Sequence, residues 1–120
     1  MRLDPLEKDI QGAIIQAFAM VHRIQLDPID AGGAKFRSNG AGGCSGIPRG
    51  FPDLLGAFPP HGTLLSIEVK RPGFRPSKDQ ADFLARRIKE GGIAFWADSV
   101  ESALDQFASQ LSAKFERETR

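Results

Sequence analysis

The sequence predicts an α/β domain in which a mixed central sheet is flanked by helices, with elements in the order αβββαβα. Three observations carry that prediction. Apolar residues recur at spacings of three and four in three stretches, each opening on a helix-start pattern. The apolar runs "DLLGAF" and "TLLSIEVK" flank the turn sequence "PPHG", which reads as a hairpin. A further short run, "IAFWA", lies between the last two helical stretches and reads as a buried strand.

The elements follow in order. Asp4-Pro5-Leu6-Glu7 is a helix start, with Asp at the cap, Pro at the first position and Glu at the third. Leu6, Ile10, Ile14, Ala17 and Val21 then form one apolar face of a helix expected to end near Ile24. Nine of the 13 glycines fall between Gly32 and Gly62, marking loops with one short strand at Ala34–Arg37. After the hairpin, Ser77-Lys78-Asp79-Gln80 is a second capping box. It opens a helix carrying Phe83, Leu84 and Ile88, stopped by Gly91-Gly92. Asp98-Ser99-Val100-Glu101 starts a last helix through Leu104, Phe107, Ala108 and Leu111, and the charged tail "KFERETR" is expected to fray. His22 is expected on the surface, His61 in the turn, and Phe95 and Trp96 in the core.

A chain of 120 residues with 41% hydrophobic content suits a single domain spanning 1–120. No apolar run approaches the roughly 20 residues that span a bilayer, and "MRLDPLEKDI" is too charged for a signal peptide. Cys44 is the one cysteine, so neither an internal disulfide nor a cysteine-based zinc cluster is available. A soluble cytoplasmic protein is expected. The net charge of +1 is unevenly spread: Lys35 to Lys89 carries ten Lys/Arg against four Asp/Glu, while both ends are acidic. A basic centre of this kind is either a phosphate-facing surface or ordinary solvated charge.

Strand alternation puts Thr63, Leu65, Ile67 and Val69 on one face, and Leu64, Ser66, Glu68 and Lys70 on the other. Glu68 and Lys70 are therefore neighbours, as an ion pair or as half of a site. A hairpin centred between Pro60 and His61 sets Phe58 opposite Thr63 and Asp53 opposite Glu68. Opposed side chains have Cβ atoms about 5 Å apart, so two carboxylates there are unfavourable unless something binds between them. A divalent cation answers this, and hard oxygen ligands suit Mg2+ or Mn2+. Lys70, one step along the same face, is placed to orient or activate a water and to stabilise developing negative charge.

Pro52-Asp53 followed by Glu68-Val69-Lys70 resembles the PD-(D/E)XK nuclease signature, and the element order is similar to that restriction-endonuclease-like core. Closer still, "GFPDLLG…SIEVKRPGFRPSKDQADFLARRIKEGGIAFWADSVESAL" resembles the VRR-NUC family, the virus-type replication-repair nucleases. The resemblance runs from Glu7 to about Phe107. It implies a metal-dependent, structure-specific DNA endonuclease in which Asp53, Glu68 and the Val69 carbonyl bind the cation. Lys70 positions the attacking water, and Gln80 and Glu7 are auxiliary. Both auxiliary residues are equally explained as helix-capping residues. Stand-alone members of this size are often viral and similar to dimeric Holliday-junction resolvases. That implies branched or duplex DNA as substrate and a homodimer.

Gly40-Ala41-Gly42-Gly43 lacks the Gly-Lys-Ser/Thr and the strand-helix frame of a nucleotide-binding loop. A loop lying on DNA is the better reading, with Lys35, Arg37 and Arg49 flanking it as phosphate contacts. Arg71, Arg75 and Lys78 follow the Glu-x-Lys directly and are further phosphate candidates. Three rivals stand beside this reading: a non-catalytic DNA-binding or assembly module with the same fold, a nuclease for RNA, and a restriction-type enzyme reading a sequence.

Overall fold

A computed structural model describes residues 6–29 and 47–119. Asp4, Pro5, the expected strand Ala34–Arg37, Lys35, Arg37, the Gly40–Gly43 stretch and Cys44 lie outside the described residues.

Helix α1 spans Glu7–His22 and starts two residues later than the capping pattern predicts. Its N-cap is Leu6, with no side-chain cap. The Leu6 carbonyl accepts from the amides of Asp9 (3.0 Å) and Ile10 (3.1 Å). Glu7 is therefore the first helical residue, not the third, and the capping explanation for it fails. The buried face is Ile10, Ile14 and Phe18, while Leu6 and Val21 are exposed. A strict spacing of four brings Phe18 inward in place of Ala17 and Val21, and Phe buries the larger apolar area. The helix stops at His22 because Arg23 takes a left-handed conformation (φ 57°). The Ile24 amide then donates back to the Phe18 carbonyl at 3.1 Å, satisfying an orphan carbonyl of the last turn. This turn drops Ile24 and Leu26 into the core.

Among the described residues the sheet has four strands in the order β1-β2-β3-β4. Strand β1, Asp27–Pro28, pairs antiparallel with β2, Leu54–Phe58. It supplies the third β element that the order αβββαβα requires. A two-residue edge strand containing proline carries almost no sequence signal, since proline is tolerated only where its missing N–H faces away from the ladder. Strands β2 and β3 (Thr63–Val69) form the hairpin in the expected register, Phe58 with Thr63 through Leu54 with Ile67. Strand β4, Ile93–Ala97, runs parallel to β3, with Leu65 beside Ile93.

Helix α2, Lys78–Lys89, crosses between β3 and β4 and opens on the complete Ser77/Gln80 capping box. It buries Phe83 and Leu84 but leaves Ile88 exposed. It ends where Gly91 turns left-handed (φ 100°), with Gly91 and Gly92 amides closing onto the Ile88 and Arg87 carbonyls. Helix α3, Val100–Glu118, is capped by Ser99 through the Ser102 amide at 3.0 Å. The helix runs on through "KFERE", where fraying is expected. Lys114 ties it down by donating to the Gly91 carbonyl at 2.8 Å. Of its expected apolar face, Phe107 is buried and Leu111 is exposed.

One face of the sheet packs Leu65, Ile67, Val69, Ile93, Phe95 and Ala97 against α1 and α3. Phe107 lies at its centre, 5.4 Å from Phe18 and 5.5 Å from Phe58 between rings. His22 joins this cluster 4.7 Å from Phe107, so it is a half-buried packing residue, not a surface one. The opposite face, carrying Ser66 and Glu68, lies under α2, so five consecutive residues of β3 are buried. The free edge of β4 is blunted by Gln110, whose side-chain amide accepts from the Ala94 N–H (3.1 Å) and donates to its carbonyl (2.7 Å). Among the described residues no helix is long and apolar enough to cross a membrane.

Candidate active site

The site forms where β2 begins and β3 ends. The hairpin register carries Asp53 to the level of Glu68. The Asp53 backbone is held by the Ile29 amide, which donates to its carbonyl at 2.7 Å. The Asp53 side chain reaches across the ladder, and its Oδ2 accepts from the Val69 amide at 2.8 Å. Amide and carbonyl of one strand residue leave on the same side, so the Val69 carbonyl also faces the β2 side of the strand.

Glu68 is 2% exposed because α2 covers its face of the sheet. Its Oε2 accepts from Gln80 Nε2 at 2.8 Å and lies 3.6 Å from Lys70 Nζ. The ion pair allowed by the strand alternation is thus present beside the site, not replaced by it. Gln80 works at both ends of its amide: Oε1 accepts from the Ser77 N–H at 2.8 Å, closing the capping box, and Nε2 points to Glu68. The helix start therefore aims this donor. Gly50 (φ 80°) fixes the position of that start. A Cβ there would come within 2.5 Å of the Asp79 carbonyl oxygen, so only glycine lets the loop before Asp53 pack onto the first turn of α2. Phe51 stacks edge-on against Phe83 at 5.0 Å and holds the same contact. Gly50 and Phe51 open the "GFPD" stretch that carries the VRR-NUC resemblance, but nothing in the sequence marks either as packing onto the start of α2.

Burial first, and the Asp53 carboxylate second, push the Glu68 carboxyl up to about 8; Lys70 pulls it the other way and loses. Glu7 is half-buried and also sits above the ordinary carboxylate range. Desolvation is the larger cause and Asp53 the next, with Lys70 and Arg71 opposing. Glu7, Asp53, Glu68, Lys70 and Arg71 thus share one electrostatic neighbourhood. Among the described residues, no three His, Cys, Asp or Glu side chains are arranged as a ready metal cluster. The donor set that fits a hard cation is two carboxylates plus a backbone carbonyl. Glu68 Oε1 is buried with no hydrogen-bond partner among the described residues. A buried, unpaired carboxylate oxygen beside a second carboxylate suits a divalent ion.

A solved structure described as a "VRR_NUC domain protein" superposes with a TM-score of 0.60 at 20% identity, covering 92% of this chain and 92% of that one. The chain has the fold of a VRR-NUC domain. That match supports the VRR-NUC resemblance carried by Pro52-Asp53 and Glu68-Val69-Lys70. No family model and no curated protein sequence matches the chain.

The basic residues divide. Arg71 lies against the site and Arg75 is exposed in the loop beyond it, while Arg49 is exposed next to Gly50. Lys78 is exposed and bonds to Asp82 at 2.7 Å, so its charge is locally matched. An apolar groove of about 740 Å³ lined by Phe58, Pro60, Phe107 and Phe115 lies by the β2–β3 turn, at the other end of the hairpin from the carboxylates.

Proposed function

We propose that this VRR-NUC fold is a metal-dependent, structure-specific DNA endonuclease. The observation that carries the proposal is the buried Glu68 carboxylate, held by Gln80 and Lys70, beside an Asp53 fixed on the Val69 amide. Bound between Asp53, Glu68 and the Val69 carbonyl, Mg2+ or Mn2+ would offset the clustered negative charge, polarise the scissile phosphate and acidify a water. The residues of the chain do the rest. Asp53 keeps its orientation through the Val69 N–H. Gln80 holds the Glu68 carboxylate in one rotamer. Lys70, 17% exposed, is open enough to reach solvent and is anchored by Glu68. Its ammonium donates to the attacking water and to a non-bridging phosphate oxygen as charge builds there. The water oxygen bonds to phosphorus and its displaced proton passes to solvent, while the bond to the leaving oxygen breaks and that oxygen takes up a proton from solvent. Arg71 and Arg75 would contact neighbouring phosphates. A homodimer is part of the proposal: a small domain gains buried surface by pairing, and two sites would serve two strands of a junction.

The test is cleavage of duplex, flap, splayed and four-way-junction DNA with Mg2+, Mn2+ or EDTA, alongside light scattering. Cleavage should need the metal, and Lys70→Ala or Asp53→Asn should lower its rate by about a hundredfold or more. Metal-independent cutting, or full activity in Lys70→Ala, refutes the mechanism. DNA binding without any cleavage supports the non-catalytic module instead, and a monomer across micromolar concentrations removes the dimer.

A further inference from the structure

Phe74 is a large apolar side chain left 57% exposed in the loop between β3 and α2. Both ends of this loop are fastened to the same carboxylate, through Lys70 at one end and Gln80 at the other. Phe74 lies four residues from Lys70, so chain length alone keeps it within about 14 Å of that residue. The loop is also stiff. Arg71-Pro72-Gly73-Phe74 forms a tight turn in which the Phe74 amide donates to the Arg71 carbonyl at 3.0 Å and Gly73 takes φ 92°. Proline at the second position and a left-handed glycine at the third are what a type II turn requires. The Arg71 guanidinium sits over the Phe74 ring, 5.7 Å from its centroid. Arg75 follows at once.

An aromatic ring presented on a rigid turn, braced by one guanidinium and flanked by another, is poorly explained as core. It has the chemistry that single-stranded nucleic acid meets on its binding proteins, with cations for phosphates and a ring face for a base. Such a ring gains little from a continuous duplex, whose bases are already stacked. We propose that Phe74, braced by Arg71, stacks on an unpaired nucleobase next to the cleaved bond and so selects DNA with single-stranded or branched segments. This rests on the reading of the neighbouring site as one that acts on DNA.

The experiment measures binding in EDTA, where cleavage plays no part, to a labelled single-stranded oligonucleotide, a splayed fork and the matching blunt duplex. Phe74→Ala should weaken binding to the strand and the fork by between about five- and a hundredfold and leave duplex binding and the urea midpoint unchanged. Phe74→Trp should keep the affinity, and its emission should be quenched by the strand and not by the duplex. Equal losses on all three ligands, or no loss on any, overturn the inference, as does Phe74→Leu behaving like wild type. If wild-type protein cuts nothing with Mg2+ or Mn2+ while the Phe74-dependent preference persists, the nuclease reading fails and the stacking site stands. If wild type cuts and Phe74→Ala shows no preference change, the stacking site alone fails.

Discussion

Replacing Glu68 by glutamine should stabilise the metal-free protein at alkaline pH and not at acidic pH. The Glu68 carboxyl rises from 4.5 to about 8 in the folded chain, chiefly because α2 removes it from water and secondly because Asp53 is beside it. The folded state therefore holds this proton more tightly than the unfolded state does. Its contribution is fully present below pH 4.5 and is lost as pH climbs toward 8. At about 1.4 kcal/mol per tenfold change in proton affinity, the whole span costs the folded state about 3–5 kcal/mol. That is a large share of the stability of a small domain. Glutamine keeps an oxygen to accept from Gln80 and offers an N–H toward Asp53, as the protonated acid would, but never ionises.

The assay is urea unfolding in EDTA of wild type and Glu68→Gln across this pH range. The two should lie within about 1 kcal/mol near pH 5 and diverge by about 3–5 kcal/mol, in favour of the variant, near pH 8.5. Taking the difference between the two proteins cancels the carboxylates remote from Glu68, which titrate alike in both. A difference that stays flat with pH, or that moves against the variant, would show that Glu68 ionises at an ordinary pH and that its burial is relieved by some other route.

Adding Mn2+ should raise the midpoint of wild type and not of Glu68→Gln, and the apparent affinity should rise with pH up to about 8 because the ion competes with the Glu68 proton; thermal shift with titrated metal reads this. Gly50→Ala should cost about 2 kcal/mol or more in urea unfolding and depress cleavage, since the new Cβ meets the Asp79 carbonyl at 2.5 Å and the position needs φ 80°. Gln110→Ala should cost about 1–3 kcal/mol by leaving the Ala94 N–H and carbonyl without their present partners at the β4 edge. Arg23→Gly should stabilise by about 0.5–1 kcal/mol, because φ 57° strains a side chain there and suits glycine; a lowered midpoint would show that the arginine side chain compensates elsewhere.

Much of the site's layout was readable from the chain. The pleat of "SIEVK" and the four residues "PPHG" set the Asp53–Glu68 register, because side-chain alternation and turn length are local properties. The Ser77/Gln80 box marked the start of α2 for the same reason. Other features depended on what packs where. The α1 face passed from Ala17 and Val21 to Phe18, since a helical pattern permits adjacent stripes and the sheet chooses between them. Strand β1 exists only because β2 offers it an edge. The burial of both faces of β3, hidden behind its alternating pattern, required α2 to lie over Ser66 and Glu68.

Sequence alone determined which groups share a face and at what spacing: Asp53 across from Glu68, and Lys70 next to it. Tertiary structure decided their chemical state. Helix α2 takes Glu68 out of water and brings Gln80 to it, and α1 adds Glu7 to the same neighbourhood. Proton affinity follows from desolvation and from charges gathered across the fold, and no spacing along the chain encodes either.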